Sequence, residues 1–218
     1  MIKAVFWDND GILVDTEHLY FRATQQVLAS VGVILDAATY RDLFLNNGSG
    51  AWHLAAQQGV SPDRCEDLRE QRNDLYSQLL REETVVLEGV EAILKTLKPH
   101  VTMGVVTTSR QEHFDIIHAT SGLKPYFDFI LTRECYEHSK PSPEPYLKAL
   151  ETVGYRADEC LVIEDSERGL RAAKAAGLTC WVIPNALTRA GDFSSADRIL
   201  RHVSEVVTYL NDGRSASP

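Results

Sequence analysis

The sequence predicts an α/β protein: a doubly wound, Rossmann-like parallel sheet with an all-helical insert after its first strand. Three observations carry that expectation. Short apolar runs at residues 2–7, 101–106, 127–131, 160–163 and 178–183 have the composition of strands buried on both faces of a sheet. Helical patterns separate most of these runs, which implies parallel pairing through right-handed crossovers. Between the first run and the second, residues 16–83 show almost wholly helical periodicity.

Taken in order, the first run is rich in β-branched and aromatic residues and stops abruptly at Asp8, Asn9 and Asp10, where Gly11 lets the chain turn away. Apolar spacing then predicts helices over 19–31, closed by Gly32, and over 37–45, 51–58 and 62–80, with a Gly-rich turn at 46–50. Such a block reads as a second domain that covers the site, excludes water and selects substrate. The expected division is a core of residues 1–15 and 84–210 and a helical cap of 16–83, with hinges near 11–16 and 84–89. In the core, 88–97 and 111–120 carry apolar residues three and four apart, and Ser142-Pro143 opens a helix with Ser as its cap and Pro in its first turn. The tail, 211–218, is rich in Ser, Gly and Pro and is expected to fray.

The 218 residues carry a formal net charge of -9, which argues against a nucleic-acid backbone or an anionic membrane as partner. An anionic ligand would need help from a divalent cation, which carboxylates can hold. Met1 leads directly into a strand without a basic leader, and no apolar run approaches the length of a bilayer span, so a cytoplasmic location is expected. Cys65, Cys135, Cys160 and Cys180 are too widely spaced for a zinc site or a disulfide framework, so reduced and mostly buried thiols are expected.

Open α/β sheets bind ligands beyond the carboxyl ends of their strands, and four such ends carry groups suited to one task. The first offers Asp8 and Asp10, the second Thr107, Thr108 and Ser109, a loop after the third Lys140, and the fourth Glu164 and Asp165. Asp8, Asp165 and the backbone carbonyl of Asp10 would supply hard oxygen ligands for Mg2+, with Glu164 bonded to metal-held water. Hydroxyls from Thr107 and Thr108, the Lys140 ammonium and backbone amides from Asn9 to Gly11 would hold phosphoryl oxygens. Asp8 would act as nucleophile, forming an aspartyl-phosphate, and Asp10 as acid and base. Each residue also has an ordinary employment: threonines bond nearby backbone, a loop lysine is solvated, and acids favour a helix start. Their joint arrival at four strand ends favours phosphoryl transfer.

The same segments resemble the motifs of the haloacid dehalogenase-like superfamily, in the branch that holds β-phosphoglucomutase and sugar-phosphate phosphatases with a helical cap. Asp8-Asn9-Asp10-Gly11-Ile12-Leu13-Val14-Asp15-Thr16-Glu17 is similar to its first motif, Val105-Val106-Thr107-Thr108-Ser109 to its second, Ser139-Lys140-Pro141 to its third and Ile163-Glu164-Asp165-Ser166 to its fourth. The likeness spans residues 2–210. It implies Mg2+, an Asp8 nucleophile, an Asp10 acid and base, phosphate contacts from Thr107 and Lys140, and metal ligation by Asp8, the Asp10 carbonyl and Asp165. Asn9 departs from the apolar residue commoner there; because that position chiefly lends its backbone, little effect on the chemistry is expected, with a contact to substrate or cap left open to its side chain. The presence of Asp10 disfavours dehalogenation, and the lack of any lysine between residues 4 and 94 removes a cap Schiff base.

The resemblance leaves two close readings. A β-phosphoglucomutase places an arginine in its cap loop, where this chain has Ser49 or Gly50, and a histidine after its first motif, where this chain has Tyr20 with His18 two residues early. A phosphatase acting on a small phosphorylated metabolite, a sugar phosphate, is therefore favoured over the mutase, with a non-catalytic binding module as a third reading. His18, Asn46, Asn47, Ser49, Trp52 and His53 are the cap candidates for substrate contact.

Overall fold

The first apolar run forms β1, Ala4–Trp7, at the centre of a six-stranded sheet in which every neighbouring pair is parallel. The computed structural model describes residues 1–83 and 86–215, with side chains through residue 210. The remaining strands are β2, Thr102–Val106, β3, Phe129–Leu131, β4, Cys160–Glu164, β5, Thr179–Val182, and β6, Arg198–Ile199. Their order is β3-β2-β1-β4-β5-β6. Trp7 aligns with Val105 on one side and Ile163 on the other. The chain thus winds one way from β1 through β3 and the other way from β4 onward, and Asp8 leaves the sheet at the switch point.

Alternation along the strands divides the core between two layers. Val5, Trp7, Met103, Val105, Leu161 and Ile163 bury one face. Helices α5, Val90–Leu97, α6, Gln111–His118, and α9, Glu205–Ser215, contribute Leu94, Phe114 and Val206 to that layer. Ala4, Phe6, Val162, Cys180 and Val182 bury the other face. There α7, Glu144–Val153, and α8, Glu167–Ala175, contribute Tyr146 and Leu170.

The helical segment comprises α1, Glu17–Ala29, α2, Ala37–Tyr40, a π-helical stretch Arg41–Asn46, α3, Trp52–Gln57, and α4, Pro62–Glu83. Asp36 caps α2 by accepting from Thr39 N. Leu28, Val33, Leu35, Tyr40, Leu45 and Ala55 bury a third apolar cluster within this segment. It also reaches the core, where Arg41 Nε donates to the Leu187 carbonyl at 2.8 Å.

Several boundaries differ from the sequence expectation: the helix expected over 37–45, for example, is α2 followed by the π-helical stretch. The helix expected from residue 88 starts at Val90, after Gly89 at φ 81°. The helix expected to open at Ser142-Pro143 starts at Glu144, and Ser142 Oγ accepts from Glu144 N at 3.3 Å. Backbone helix α9 continues through Ser215, beyond residue 211, where a frayed tail was expected to begin. The expected boundary at residue 84, part of the second hinge and residues 216–218 lie outside the described residues. All four cysteines are free, three of them buried. Among the described residues, no helix is long and apolar enough to cross a membrane.

Gly104, midway along β2, is required by close approach. A Cβ there would lie 2.0 Å from Phe129 Cζ, and that ring already packs edge-on against Phe6 at 5.8 Å. Gly104→Val is expected to destabilise the protein by about 1–3 kcal/mol through overpacking. A lowered urea midpoint at unchanged m-value would show it, and an unchanged midpoint would mean that β3 shifts freely.

Candidate active site

The carboxyl ends of β1, β2 and β4 converge on a buried lysine. Lys140 follows β3, and its Nζ donates to Asp8 Oδ1 at 2.7 Å, Glu164 Oε1 at 2.7 Å and the Val106 carbonyl at 2.8 Å. All three ammonium hydrogens are thereby engaged. Burial opposes its charge, but Asp8 and Glu164 together hold the Lys140 pKa above its usual value. Glu164 is completely buried. Oε1 also accepts from the Tyr146 hydroxyl at 2.7 Å, while Oε2 accepts from Ser166 Oγ at 3.1 Å and Asp165 N at 3.2 Å.

The oxygens of Glu164 thus serve Lys140 and the turn into α8. Burial works against ionisation of Glu164, yet Lys140 and Tyr146 bring its pKa below the usual value. Asp8 goes the other way, pushed up to about 7 by burial and then by the charge of Glu164, against the pull of Lys140. Asp165 is pushed well up by burial, Asp8 and Glu164. One oxygen from each of Asp8, Glu164 and Asp165 lies within 4.8 Å of the others. Crowded carboxylates of hard oxygen, two of them resisting ionisation for want of compensating charge, fit a divalent cation.

Backbone geometry permits the crowding. Gly11 has φ 83°, and a Cβ there would lie 2.4 Å from Asp165 Oδ2. At the other end, a Cβ on Gly169 would lie 2.0 Å from the Glu164 carboxyl carbon, so α8 can begin directly over that acid. Ser166 caps α8, its Oγ accepting from Gly169 N at 3.2 Å. Asn185, which the sequence reading missed, donates from Nδ2 to Asp165 Oδ2 at 2.7 Å. Its Oδ1 accepts from Leu187 N and Thr188 N, which fixes the amide.

Asp10 is tied elsewhere. Its Oδ1 accepts from Thr16 Oγ1 at the entrance to α1, and its Oδ2 accepts from Ser109 Oγ at 2.7 Å and Thr107 Oγ1 at 3.3 Å. Thr107 is fully buried and also accepts from Ser109 N. Thr108 faces the cavity and accepts from Arg168 Nη2 at 3.1 Å. Asn9 is completely buried, which closes the contact with substrate or cap that the sequence left open to its side chain. Its Oδ1 lies 2.8 Å from His118 Nε2, and its Nδ2 donates to Asp10 Oδ2 at 3.3 Å. Burial pushes the His118 pKa down to about 4. The neutral ring therefore donates from Nε2, and Nδ1 accepts from the Ser121 hydroxyl at 2.8 Å.

Above these groups lies a cavity of about 440 Å³, within the usual range for small-molecule sites. Of the cap candidates, Ser49 and Trp52 line it, together with Tyr20. The other four are not brought to its wall. His18 is exposed and pairs with Asp15 at 3.3 Å, Asn47 bonds the Asp42 carbonyl at 3.0 Å, His53 is exposed, and Asn46 ends the π-helical stretch. Arg69, Arg72 and Arg168 line the cavity and were missed by the sequence reading, because arginine at helical spacing reads as a solvated face.

A doubly wound sheet with clustered carboxylates and a buried lysine at its switch point is the framework of an α/β enzyme. Residues 5–183 match the family model for haloacid dehalogenase-like hydrolases, and the chain belongs to that family. The protein CbbY of Cereibacter sphaeroides is 32% identical over 217 residues, covering 94% of this chain and 94% of its own. The fructose-1-phosphate phosphatase YqaB of Escherichia coli is 28% identical, covering 80% of this chain and 92% of its own. The crystal structure of a CbbY mutant from Rhodobacter sphaeroides in complex with xylulose-(1,5)bisphosphate has a TM-score of 0.80 at 27% identity, covering 94% of this chain and 96% of that one. The protein is accordingly a phosphatase-type enzyme of the haloacid dehalogenase-like family.

Lys140→Met leaves Asp8 and Glu164 buried without their shared cation. It is expected to cost about 3–5 kcal/mol of stability, measured by urea unfolding in chelator, and to abolish activity. Adding Glu164→Gln should restore part of the stability and none of the activity. Native stability in Lys140→Met would show that this pairing does not hold the strand ends together.

Proposed function

We propose that the protein is a magnesium-dependent phosphatase that hydrolyses a small phosphorylated metabolite, a sugar phosphate, through an aspartyl-phosphate on Asp8. The observation that carries this reading is the Asp8, Glu164 and Asp165 cluster around Lys140 at the foot of a cavity walled by both the sheet ends and the helical segment. The sugar-phosphate ligands named for YqaB and for the CbbY complex agree with it.

Asp8, Asp165 and the backbone carbonyl of Asp10 would hold Mg2+, which when bound neutralises the carboxylates and draws charge from the phosphoryl oxygens. Lys140 anchors Asp8 Oδ1 and supplies positive charge beside the phosphorus. An Asp8 carboxylate oxygen attacks phosphorus, and the ester oxygen leaves with a proton from Asp10. Asp10 then takes a proton from water as that water attacks the aspartyl-phosphate, which releases inorganic phosphate and restores the Asp8 carboxylate. Thr108 and Ser109, which face the cavity, are placed for phosphoryl oxygens more directly than the enclosed Thr107. The helical segment acts as a cap that keeps stray water from the intermediate.

Phosphate release from a panel of sugar phosphates is expected with Mg2+ and not with chelator. Asp8→Asn should form no phosphoenzyme. Asp10→Asn should still form it while turnover falls by about 10²–10⁴. Phosphoenzyme in Asp8→Asn at the native level would overturn the nucleophile, and isomerisation of β-glucose 1-phosphate without phosphate release would make the protein a mutase.

A further inference from the structure

The helical segment brings to the cavity a cationic surface that the phosphoryl chemistry does not use. Arg69, Arg72 and Tyr76 lie three and four residues apart on α4, and so share one face. Arg72 is only 7% exposed. Its guanidinium carbon sits 4.5 Å from the centroid of the Tyr20 ring and 5.5 Å from that of Trp52, an aromatic seat that fixes its orientation. Nε donates to Asn73 Oδ1 at 3.0 Å. Nη1 is buried and has no hydrogen-bond partner among the described residues.

A buried guanidinium N–H without an acceptor is costly and calls for a ligand. His113 Nε2, on α6 and also at the cavity, is a second buried polar atom without a partner among the described residues. Arg69 lies 5.5 Å from the same Trp52 ring, and Arg110 adds an exposed cation at the cavity. Glu66 is the opposing acid on α4, and it is paired with Arg69 at 2.7 Å. In a chain of net charge -9, such a local excess of arginine at a cavity wall is specific.

We propose that Arg72, with Arg69 and Arg110, forms a second anion subsite, so that the substrate carries a phosphate or carboxylate away from the ester cleaved at Asp8. The proposal rests on the phosphatase reading of the same cavity. Tyr76 approaches Thr16, which donates to Asp10, so Tyr76 marks the level of Asp10 along α4. At the helical rise, Arg72 lies about 6 Å and Arg69 about 10 Å further along the axis, the span of a short polyol chain. The cap-loop position at Ser49 and Gly50 offers no arginine, and α4 takes over the anchoring. Burial pushes the His113 pKa down, and its unpartnered Nε2 is placed to meet a hydroxyl of the intervening chain. Anchoring a non-reacting anion orients the ester at Asp8.

The test uses the full-length protein with Mg2+ and three matched esters: a ketose 1-phosphate, the corresponding bisphosphate, and a phosphorylated sugar acid. The doubly anionic esters are expected to be preferred in kcat/KM, mainly through KM. Arg72→Met should lower that preference by about tenfold or more, the loss expected of a charge-assisted contact, and Arg72→Lys should keep part of it. Arg69→Gln, at a half-exposed site, gives a second variant should Arg72→Met fail to fold, and should lower the preference in the same direction. Preference for the bisphosphate assigns the subsite to phosphate, and preference for the sugar acid assigns it to carboxylate. Hydrolysis without preference, or an unchanged preference in both variants, would overturn the subsite. Calorimetry on Asp8→Asn separates the two ideas. Tighter binding of the bisphosphate than of the monophosphate, lost on adding Arg72→Met, with no hydrolysis by the native protein, would keep the subsite and remove the phosphatase.

Discussion

The shared burial of Lys140, Asp8 and Glu164 is the constraint on which the rest of this structure depends. Two carboxylates and one ammonium are removed from water at the centre of a parallel sheet, where an unpaired charge would be prohibitive. The ammonium can satisfy both acids because Asp8 and Glu164 end adjacent strands, β1 and β4, in register. It reaches them from a loop beyond β3, and its last hydrogen goes to the Val106 carbonyl at the end of β2. One side chain therefore ties together the ends of three strands. Correct sheet order is a condition for neutralising the site, and neutralising the site rewards correct sheet order.

Glycines make that concentration of charge possible. Gly169 leaves room for the Glu164 carboxyl beneath the first turn of α8, and Gly11 leaves room for Asp165 beside the turn after β1. Neither demand is about flexibility alone. At Gly169 the backbone is helical, and the requirement is space against an acid held by Lys140, Tyr146 and Ser166. The charge balance still favours the acids, since Asp8 and Asp165 are both pushed up while Lys140 already serves Glu164. A cation with hard-oxygen preference resolves this, and on that physical ground the carboxylates and the proposed metal belong together.

Much of this fold is legible in the sequence because a strand buried on both faces is a run of apolar residues whatever its neighbours. All five such runs are strands. β6 has no such run: Arg198 and Ile199 are exposed at an edge, and two residues leave no periodicity to read. The residues at strand ends were legible as a set, but their partners were not. Asn9 looked available to a ligand until His118, far along the chain, appeared beside it at 2.8 Å. Glu164 was legible only as a partner of metal-held water, and its bonds from Lys140 and Tyr146, both distant in sequence, became visible only in the fold. Arg72 is the converse. Periodicity places it on a polar helix, and only the Tyr20 and Trp52 rings of two other helices turn it into a buried cation.

The bond between Asp10 and Thr16 links these two parts of the molecule. Asp10 leaves the sheet two residues after Asp8, while Thr16 stands at the entrance to α1, the first helix of the inserted segment. Tyr76 of α4 also approaches Thr16, and α4 packs along α1. A rotation of that helix pair against the sheet would therefore move the donor that holds Asp10 Oδ1, while Ser109 and Thr107 hold Oδ2 from the sheet side. The carboxylate assigned to proton transfer is thus restrained jointly by both bodies, whereas Asp8 is restrained by the core alone. The same α4 carries Arg72, so an anion seated on Arg72 pulls on the helix whose Tyr76 meets the partner of Asp10. Substrate recognition and placement of the acid are joined through one rigid helix over little more than a single turn.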